Sequence, residues 1–71
     1  MKNLHFIGIG GIGMSAAARI CFARGFTVSG CDIRESDITR ELRQLGCRIH
    51  IGHHPDHIRK ADTVVYSSAI P

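Results

Sequence analysis

Hydrophobic and polar positions along this chain follow two alternating patterns. Short, nearly continuous apolar runs rich in β-forming residues predict four strands. These strands cover residues 2–9, 26–31, 47–51 and 63–67. Between them, apolar residues recur every three or four positions, which predicts helices over residues 14–24 and from about 37 to 45. Pro55 is placed to begin a short third helix before the fourth strand. This alternation is typical of an α/β fold built on a parallel sheet.

Each of the two longer helices has an apolar stripe that is expected to face the sheet. The stripe of the first consists of Ile12, Ala16, Ile20 and Ala23, and that of the second consists of Ile38, Leu42 and Leu45. Ser36 or Asp37 is placed to cap the N-terminus of the second helix. Gly25 and Gly46 are placed to end the first and second helices.

The order of the elements also predicts the topology of the sheet. Right-handed crossovers give a partial, Rossmann-like doubly wound parallel sheet of about four strands in the order 3-2-1-4. The third strand alternates apolar residues with Arg48 and His50, which favours a position near the edge of the sheet. The switch point then lies between strands one and four, where such folds bind ligands outside the carboxyl ends of their strands. We expect residues 10–14, Asp32, His53 and residues 67–70 to converge there.

A glycine-rich stretch at residues 8–15 follows the first strand and opens the first helix. Gly8, Gly10 and Gly13 fit the G-x-G-x-x-G spacing, in which the glycines serve for a tight turn, for close approach of a diphosphate and for close packing of helix on strand. The start of the helix offers unpaired N–H groups and a positive dipole end. The motif therefore predicts a phosphate site, and the alternative is a tight turn without a ligand.

Composition narrows the classes of protein to which the chain can belong. Its 71 residues allow one small domain, and 44% hydrophobic and 21% charged residues are ordinary for a soluble globular protein. The net charge of +3 is spread along the chain, so neither a nucleic-acid patch nor a membrane partner is indicated. No membrane span or secretory signal is predicted, because glycines interrupt the apolar region at residues 6–22. Three cysteines without a C-x-x-C pair favour reduced thiols in a cytosolic protein.

Candidate chemistry beyond the glycine stretch is sparse. Asp32 stands where dinucleotide-binding folds place an acid for the ribose hydroxyls, so this position by itself favours NAD, and a loop acid is the alternative. The histidines at 50, 53, 54 and 57 are interrupted by Gly52 and Pro55, and we expect no metal site there but solvent-exposed histidines, one of them touching a ligand. Cys31 has no assignable activating partner, so no catalytic nucleophile is predicted.

Several separate motifs, in order along nearly the whole chain, resemble the opening of the Mur ligases of peptidoglycan assembly, and among them those that join L-alanine to UDP-N-acetylmuramate. The stretches that carry the resemblance are residues 4–15, 28–32, 35–36 with the helix at Thr39, 51–53 and 64–71. Cys31 departs from the pattern, since this family often has Ser there, which puts any hydroxyl-specific contact at this position in doubt.

The resemblance implies that residues 1–71 form the N-terminal, Rossmann-like UDP-sugar-binding domain of a cytoplasmic bacterial ligase, truncated on its C-terminal side. It implies binding of UDP-N-acetylmuramate, with the diphosphate on the backbone of Ile9, Gly10, Gly11, Ile12, Gly13, Met14 and Ser15. Asp32 and His53 would then lie near the uridine. The residues that would close the site beside the sugar nucleotide are Ser67, Ser68, Ala69 and Ile70.

The same resemblance implies where the chemistry of the ligase lies. Ligases of this family activate the muramate carboxylate with ATP to an acyl phosphate, which alanine then attacks. This step needs a G-x-x-x-x-G-K-[ST] phosphate loop and magnesium ligands, and no such loop occurs in the 71 residues. We therefore expect ATP and Mg²⁺ to serve in the parent ligase, with no catalytic residue, metal ligand or cofactor within this stretch.

Two other functions share part of the pattern. A regulatory domain that senses NAD would have the glycine stretch and the acid after the second strand, without needing Gly52-His53 or residues 67–71. The cofactor-binding half of an oxidoreductase would also have them, but no substrate domain is present.

The exposed edge of the fourth strand further predicts self-association of the 71-residue chain.

Overall fold

The computed structural model describes residues 2–52 and 61–66 and contains the strands and helices that the pattern predicts. The elements are β1 (Asn3–Ile7), α1 (Ile12–Ala23), β2 (Thr27–Asp32), α2 (Asp37–Leu45), β3 (Arg48–Ile51) and β4 (Thr63–Val65). Their ends coincide with the predicted ones or differ by at most two residues, as at the end of α1, where Arg24 is the C-cap and Gly25 follows it. The short helix predicted to begin at Pro55 lies outside the described residues.

The four strands form one parallel sheet in the order β3-β2-β1-β4, which confirms the predicted fold class and topology. In this register Phe6 of β1 lies between Gly30 of β2 and Val65 of β4. The predicted edge position of β3 is also confirmed, and its Arg48 and His50 are exposed.

The core lies largely between the sheet and the two helices, because the inward side chains of β1, β2 and β3 meet small and apolar residues of α1 and α2. It is closed at the glycine stretch by Ile9, which is fully buried. The buried members of this cluster are Leu4, Phe6, Ile9, Ala18, Val28, Leu42, Cys47 and Ile49. The core therefore joins the glycine turn directly to the sheet.

The inward face of α1 differs from the predicted stripe. Ile12 and Ile20 are 84% and 57% exposed, and Ala16 and Ala23 are exposed as well. The helix instead turns a second set of small or apolar residues toward the core: Met14, Ser15, Ala17, Ala18, Cys21 and Phe22. Both sets recur at helical spacing, so periodicity could not decide between them; in the structure Ala18 is fully buried and Ile20 is exposed.

The second helix follows its predicted stripe only in part. Leu42 is fully buried and Ile38 packs against the core, but Leu45, the last residue of the helix, is 46% exposed. The polar residue Thr39 is fully buried instead. Ser36 is the N-cap, one of the two predicted caps, and it exchanges hydrogen bonds with Thr39 in a capping box.

A reciprocal pair of hydrogen bonds fastens the amino end of β4 to that of β1. The Asn3 N–H donates to Oδ2 of Asp62 at 2.8 Å, and the Asp62 N–H donates to the carbonyl oxygen of Asn3 at 2.8 Å. These contacts fix the register in which β4 begins, and so fix where its carboxyl end meets the switch point of the sheet.

Candidate anion-binding site

The glycine turn begins where β1 ends, between β2 and β4. Its first two N–H groups, those of Gly8 and Ile9, both donate to the carbonyl oxygen of Cys31 at 2.8 and 3.1 Å. The Gly11 N–H then donates back to the carbonyl oxygen of Gly8 at 3.0 Å. Gly8 has a φ of +77°, which side-chain-bearing residues rarely adopt, so its role as the turn glycine is the one that the motif predicts.

Asp32 reaches this turn from the carboxyl end of β2. Its Oδ2 accepts the Gly10 N–H at 2.8 Å, and its Oδ1 accepts the N–H of Ile33 at 2.8 Å. Its carbonyl oxygen accepts the N–H of Gly52 at 2.7 Å, at the point where β3 ends. The predicted proximity of Asp32 to the glycine turn is therefore present. Its hydrogen bonds connect the segments that follow β1, β2 and β3.

The start of α1 has main-chain N–H groups that are not used within the described chain. Gly11 is the N-cap and supplies no side-chain acceptor, and the helical hydrogen bonds begin with the Ser15 N–H donating to Gly11 at 2.8 Å. The three preceding N–H groups, those of Ile12, Gly13 and Met14, have no acceptor among residues 2–52 and 61–66. With no acidic residue in the first helical turn, this end of the helix favours an anion.

The remaining glycines show which positions leave room for a ligand. A Cβ built at Gly13 meets no described atom within 4 Å, so this glycine does not serve the close packing of helix on strand that the motif predicts. Gly30 of β2 instead permits close packing of the glycine turn on the sheet, because a Cβ there would lie 2.7 Å from Cβ of Ile9 and 2.9 Å from the carbonyl oxygen of Phe6. The exposed backbone at Gly13 is therefore open to an approaching group.

Two buried polar residues near this region were not singled out in the sequence. Thr39 lies beneath the turn, with Cγ2 3.3 Å from a Cβ built at Gly10. His5 of β1 is fully buried and shares a 2.8 Å hydrogen bond between its Nδ1 and Oγ of Ser29, its neighbour on β2. A polar residue inside an otherwise apolar run was the available signal for His5, and the S-x-x-T spacing of a capping box was the signal for Thr39.

Two of the three cysteines, Cys31 and Cys47, have thiols whose pKa is raised. Burial raises the pKa of the Cys31 thiol, the nearby Asp32 carboxylate raises it further, and a backbone hydrogen bond from Gly8 partly opposes the rise. Burial likewise raises the pKa of the Cys47 thiol, against the opposing charge of Arg19. All three cysteines are free thiols, as predicted, and a thiol with a raised pKa is a poor nucleophile at neutral pH.

Several predicted site residues cannot be placed relative to the turn. His53, Ser67, Ser68, Ala69 and Ile70 lie outside the described residues. Within residues 2–52 and 61–66, no group of three or more histidine, cysteine or acidic side chains could hold a metal ion. In the same part of the chain no helix is both long and apolar enough to cross a membrane.

Comparison with known proteins identifies relatives of this chain. The family described as "Mur ligase family, catalytic domain" matches residues 3–71. The UDP-N-acetylmuramate–L-alanine ligase of Campylobacter jejuni is 54% identical over 70 residues, which cover 99% of this chain and 16% of that protein. Among solved structures, the UDP-N-acetylmuramate-alanine ligase MurC of Thermotoga maritima matches all of this chain and 16% of its own, with a TM-score of 0.90 and 41% identity.

A further solved structure, the murein peptide ligase of Psychrobacter arcticus, matches all of this chain and 15% of its own, with a TM-score of 0.89 and 30% identity. This chain thus spans about one sixth of the length of these three relatives. All of these relatives are ligases, so the comparisons give no support to the NAD-sensing or oxidoreductase alternatives. The match of the family over residues 3–71, the fold and the relatives together show that this chain belongs to the Mur ligase family.

Proposed function

We propose that this chain is the UDP-sugar-binding part of a ligase that joins L-alanine to UDP-N-acetylmuramate in peptidoglycan biosynthesis. The observation that carries the proposal is the set of three N–H groups of Ile12, Gly13 and Met14, open at the start of α1 in a chain of this family. The identity to named UDP-N-acetylmuramate–L-alanine ligases selects the substrate among the nucleotide sugars.

The diphosphate would lie across the first turn of α1. The N–H groups of Ile9, Gly10, Gly11 and Ser15 already donate within the chain, so these residues shape the turn. The N–H groups of residues 12–14 would donate to phosphate oxygens, with the positive end of the helix dipole behind them. The absence of a side chain at Gly13 allows a phosphate to approach the backbone closely.

The remaining parts of the nucleotide sugar would extend along the carboxyl edge of the sheet. Asp32 and His53 are proposed to lie near the uridine, at the ends of β2 and β3. The sugar would lie beside the residues that follow β4, namely Ser67, Ser68, Ala69 and Ile70. Residues 1–71 would thus form the N-terminal, UDP-sugar-binding domain of the ligase.

The role of this region in the reaction is to hold and orient the substrate. ATP, with Mg²⁺, would supply the phosphoryl group that activates the muramate carboxylate, and the 71 residues contain no G-x-x-x-x-G-K-[ST] loop that could hold it. Binding of the diphosphate at α1 would keep the muramate carboxylate at a fixed distance from that chemistry, which lowers the entropic barrier of the reaction. We place the protein in the bacterial cytoplasm, where this substrate is used.

Calorimetric titration of the complete gene product with UDP-N-acetylmuramate, UDP and NADH tests the proposal. We expect binding of both uridine nucleotides and none of NADH. Replacement of Gly13 by Val should weaken binding of both by about tenfold or more, because its side chain blocks contact with the charged diphosphate. The matched control is Ile20→Val, an exposed change on the same helix, which should leave affinity unchanged.

An activity measurement completes the test. The complete gene product should release phosphate from ATP only when UDP-N-acetylmuramate, L-alanine and Mg²⁺ are all present. Binding of NADH without binding of UDP would contradict the assignment, as would phosphate release that depends on a different amino acid.

A further inference from the structure

We propose that Asp32 is a positioning residue, whose carboxylate holds the glycine turn in the shape that aims the first N–H groups of α1 at a ligand. The dinucleotide pattern assigns such an acid to the ribose hydroxyls instead. The effect on ligand binding rests on the proposed function, whereas the effect on the turn itself does not.

The first argument is the use of both carboxylate oxygens. Oδ2 accepts the Gly10 N–H and Oδ1 accepts the Ile33 N–H, each at 2.8 Å. Hydrogen bonds to an ionised acceptor are roughly twice as strong as those between neutral groups. The two contacts therefore fix the orientation of the carboxylate, and the contact to Gly10 fixes the main chain two residues before α1 begins.

The second argument is that Asp32 is itself anchored. It is the last residue of β2, paired with Ile51 of β3, and its carbonyl oxygen accepts the Gly52 N–H at 2.7 Å. The carboxylate thus extends from a strand held in the middle of the sheet. A rigid support of this kind can hold a loop in place, which an acid in a free loop could not.

The third argument is the lack of space around Gly10. A Cβ there would lie 2.7 Å from Oδ2 of Asp32 and 3.3 Å from Cγ2 of Thr39. Thr39 is fully buried and held in the capping box of α2, so its methyl group cannot readily move away. The described structure therefore requires glycine at position 10 because Asp32 occupies the space, before any ligand is considered.

Hydrogen–deuterium exchange of the ligand-free complete gene product tests the contact. In Asp32→Ala, exchange in peptides covering residues 8–11, whose N–H groups are hydrogen-bonded within the chain, should rise about tenfold or more, as expected for loss of a hydrogen bond to a charged group. Asp32→Asn should show a smaller rise than Asp32→Ala, because its single amide oxygen can keep one of the two hydrogen bonds but not both. Asp37→Asn is the matched control, since Asp37 has the same charge but pairs with Arg40 on α2. Unchanged exchange at residues 8–11 in Asp32→Ala would overturn the proposal.

A double-mutant cycle tests the reason for the glycine. Gly10→Ala should weaken UDP binding about tenfold or more in the native background but by less than about threefold in Asp32→Ala, because the shorter side chain vacates the space. Equal losses in the two backgrounds would overturn the proposal, since the ligand and not Asp32 would then require glycine. Hydrogen exchange in β1 and β2 is the control, and it should show that all four forms in the cycle are folded to the same extent.

A change in the ligand separates positioning from direct contact. If Asp32 acts through the turn, Asp32→Asn should weaken binding of UDP and 2′-deoxy-UDP by the same factor. If it binds the ribose, the native preference between these ligands should disappear in the variant, and the proposal is wrong. Failure of every form to bind UDP would contradict the proposed function alone, because the exchange result does not depend on a ligand.

Discussion

Single residues determine the shape of the glycine turn, and the reason for glycine differs from one position to the next. Gly8 provides a positive φ, Gly10 avoids a clash with Asp32, and Gly13 leaves the backbone open. The glycine that permits close packing is Gly30, outside the motif altogether. The motif spacing therefore predicted where the turn lies but not which contact each glycine serves.

Replacement of Gly30 by Ala should destabilise the sheet. The new methyl group would overlap Ile9 and the carbonyl oxygen of Phe6, and the backbone atom can move only if β1 moves. Overpacking of this kind costs about 1–3 kcal/mol of stability. The measurement is the free energy of opening of β1 and β2, obtained from hydrogen exchange of the complete gene product.

Gly13→Ala is the matched control for this substitution. Its Cβ meets no described atom, and Ala in place of Gly inside a helix contributes up to about 1 kcal/mol. The exchange of α1 should therefore slow slightly or stay the same. Equal destabilisation by the two substitutions would show that close packing at Gly30 has no special effect.

At the scale of an element, α2 illustrates how a helix is defined by its ends. Ser36 accepts the Thr39 N–H at 3.2 Å, and Oγ1 of Thr39 accepts the Ser36 N–H at 2.8 Å. Arg43, near the other end, pairs with Glu35 in the preceding loop and approaches the carbonyl oxygen of Ile49 at 3.4 Å. These polar contacts join α2 to the loop that precedes it and to β3.

Loss of the cap should destabilise α2. Ser36→Ala removes the acceptor for the Thr39 N–H, and such changes cost about 1 kcal/mol. We expect faster exchange in peptides of α2, while Ser36→Thr, which retains a hydroxyl, should resemble the native protein. An unchanged exchange rate in Ser36→Ala would mean that the capping box does not contribute to the stability of the helix.

The pair of Glu35 and Arg43 should make stability depend on pH. Hydrogen bonds from Arg43 lower the pKa of Glu35 in the folded state from its ordinary value of 4.5. The stabilisation is therefore present above that ordinary value and disappears as the pH falls through the lowered pKa. Because both side chains are partly exposed, the effect should be small.

A comparison with Glu35→Gln measures this effect. The native protein should be the more stable at about pH 7, and the difference should vanish as the pH falls below the lowered pKa of Glu35, where the carboxyl group is protonated in both states. A difference that persists at the acidic end would assign the effect to packing of Glu35 and not to its charge.

Sequence patterns predicted the elements and failed on the rotation of α1. Its two apolar stripes are both helical in period, and the stripe that contains Ala18 is the one buried, while Ile12 and Ile20 are exposed. In α2 the pattern placed Leu42 correctly and missed Thr39, because burial of a hydroxyl depends on the capping hydrogen bonds that satisfy it. Such contacts between distant or polar groups are not encoded in hydrophobic spacing.

At the scale of the whole molecule, topology was predictable because chirality leaves few alternatives. Alternating strands and helices with right-handed crossovers lead to the order β3-β2-β1-β4. Asp32 was predicted at the glycine turn for the same reason, since the carboxyl ends of parallel strands share one edge. Its hydrogen bond to Gly10 was not predicted, because strand order does not specify side-chain contacts.

The open side of β4 should cause self-association of the isolated 71-residue chain. No other strand of the described residues pairs with its outer edge, and unpaired edges recruit further strands. Sedimentation velocity should show dimers or larger species as concentration rises. Thr63→Lys, which adds a charge at an exposed position of this strand, should reduce them. A sharply monomeric profile of the native chain at high concentration would contradict this expectation.

The fastening of β4 to β1 through Asn3 and Asp62 has a consequence for the order in which the protein assembles. The first three strands and both helices join neighbours in sequence, whereas this contact closes a separation of 59 residues. Long loops close late, since their ends lose the most chain entropy on meeting. During synthesis the glycine turn and Asp32 can therefore meet early, while the switch point between β1 and β4 forms only after β4 has left the ribosome.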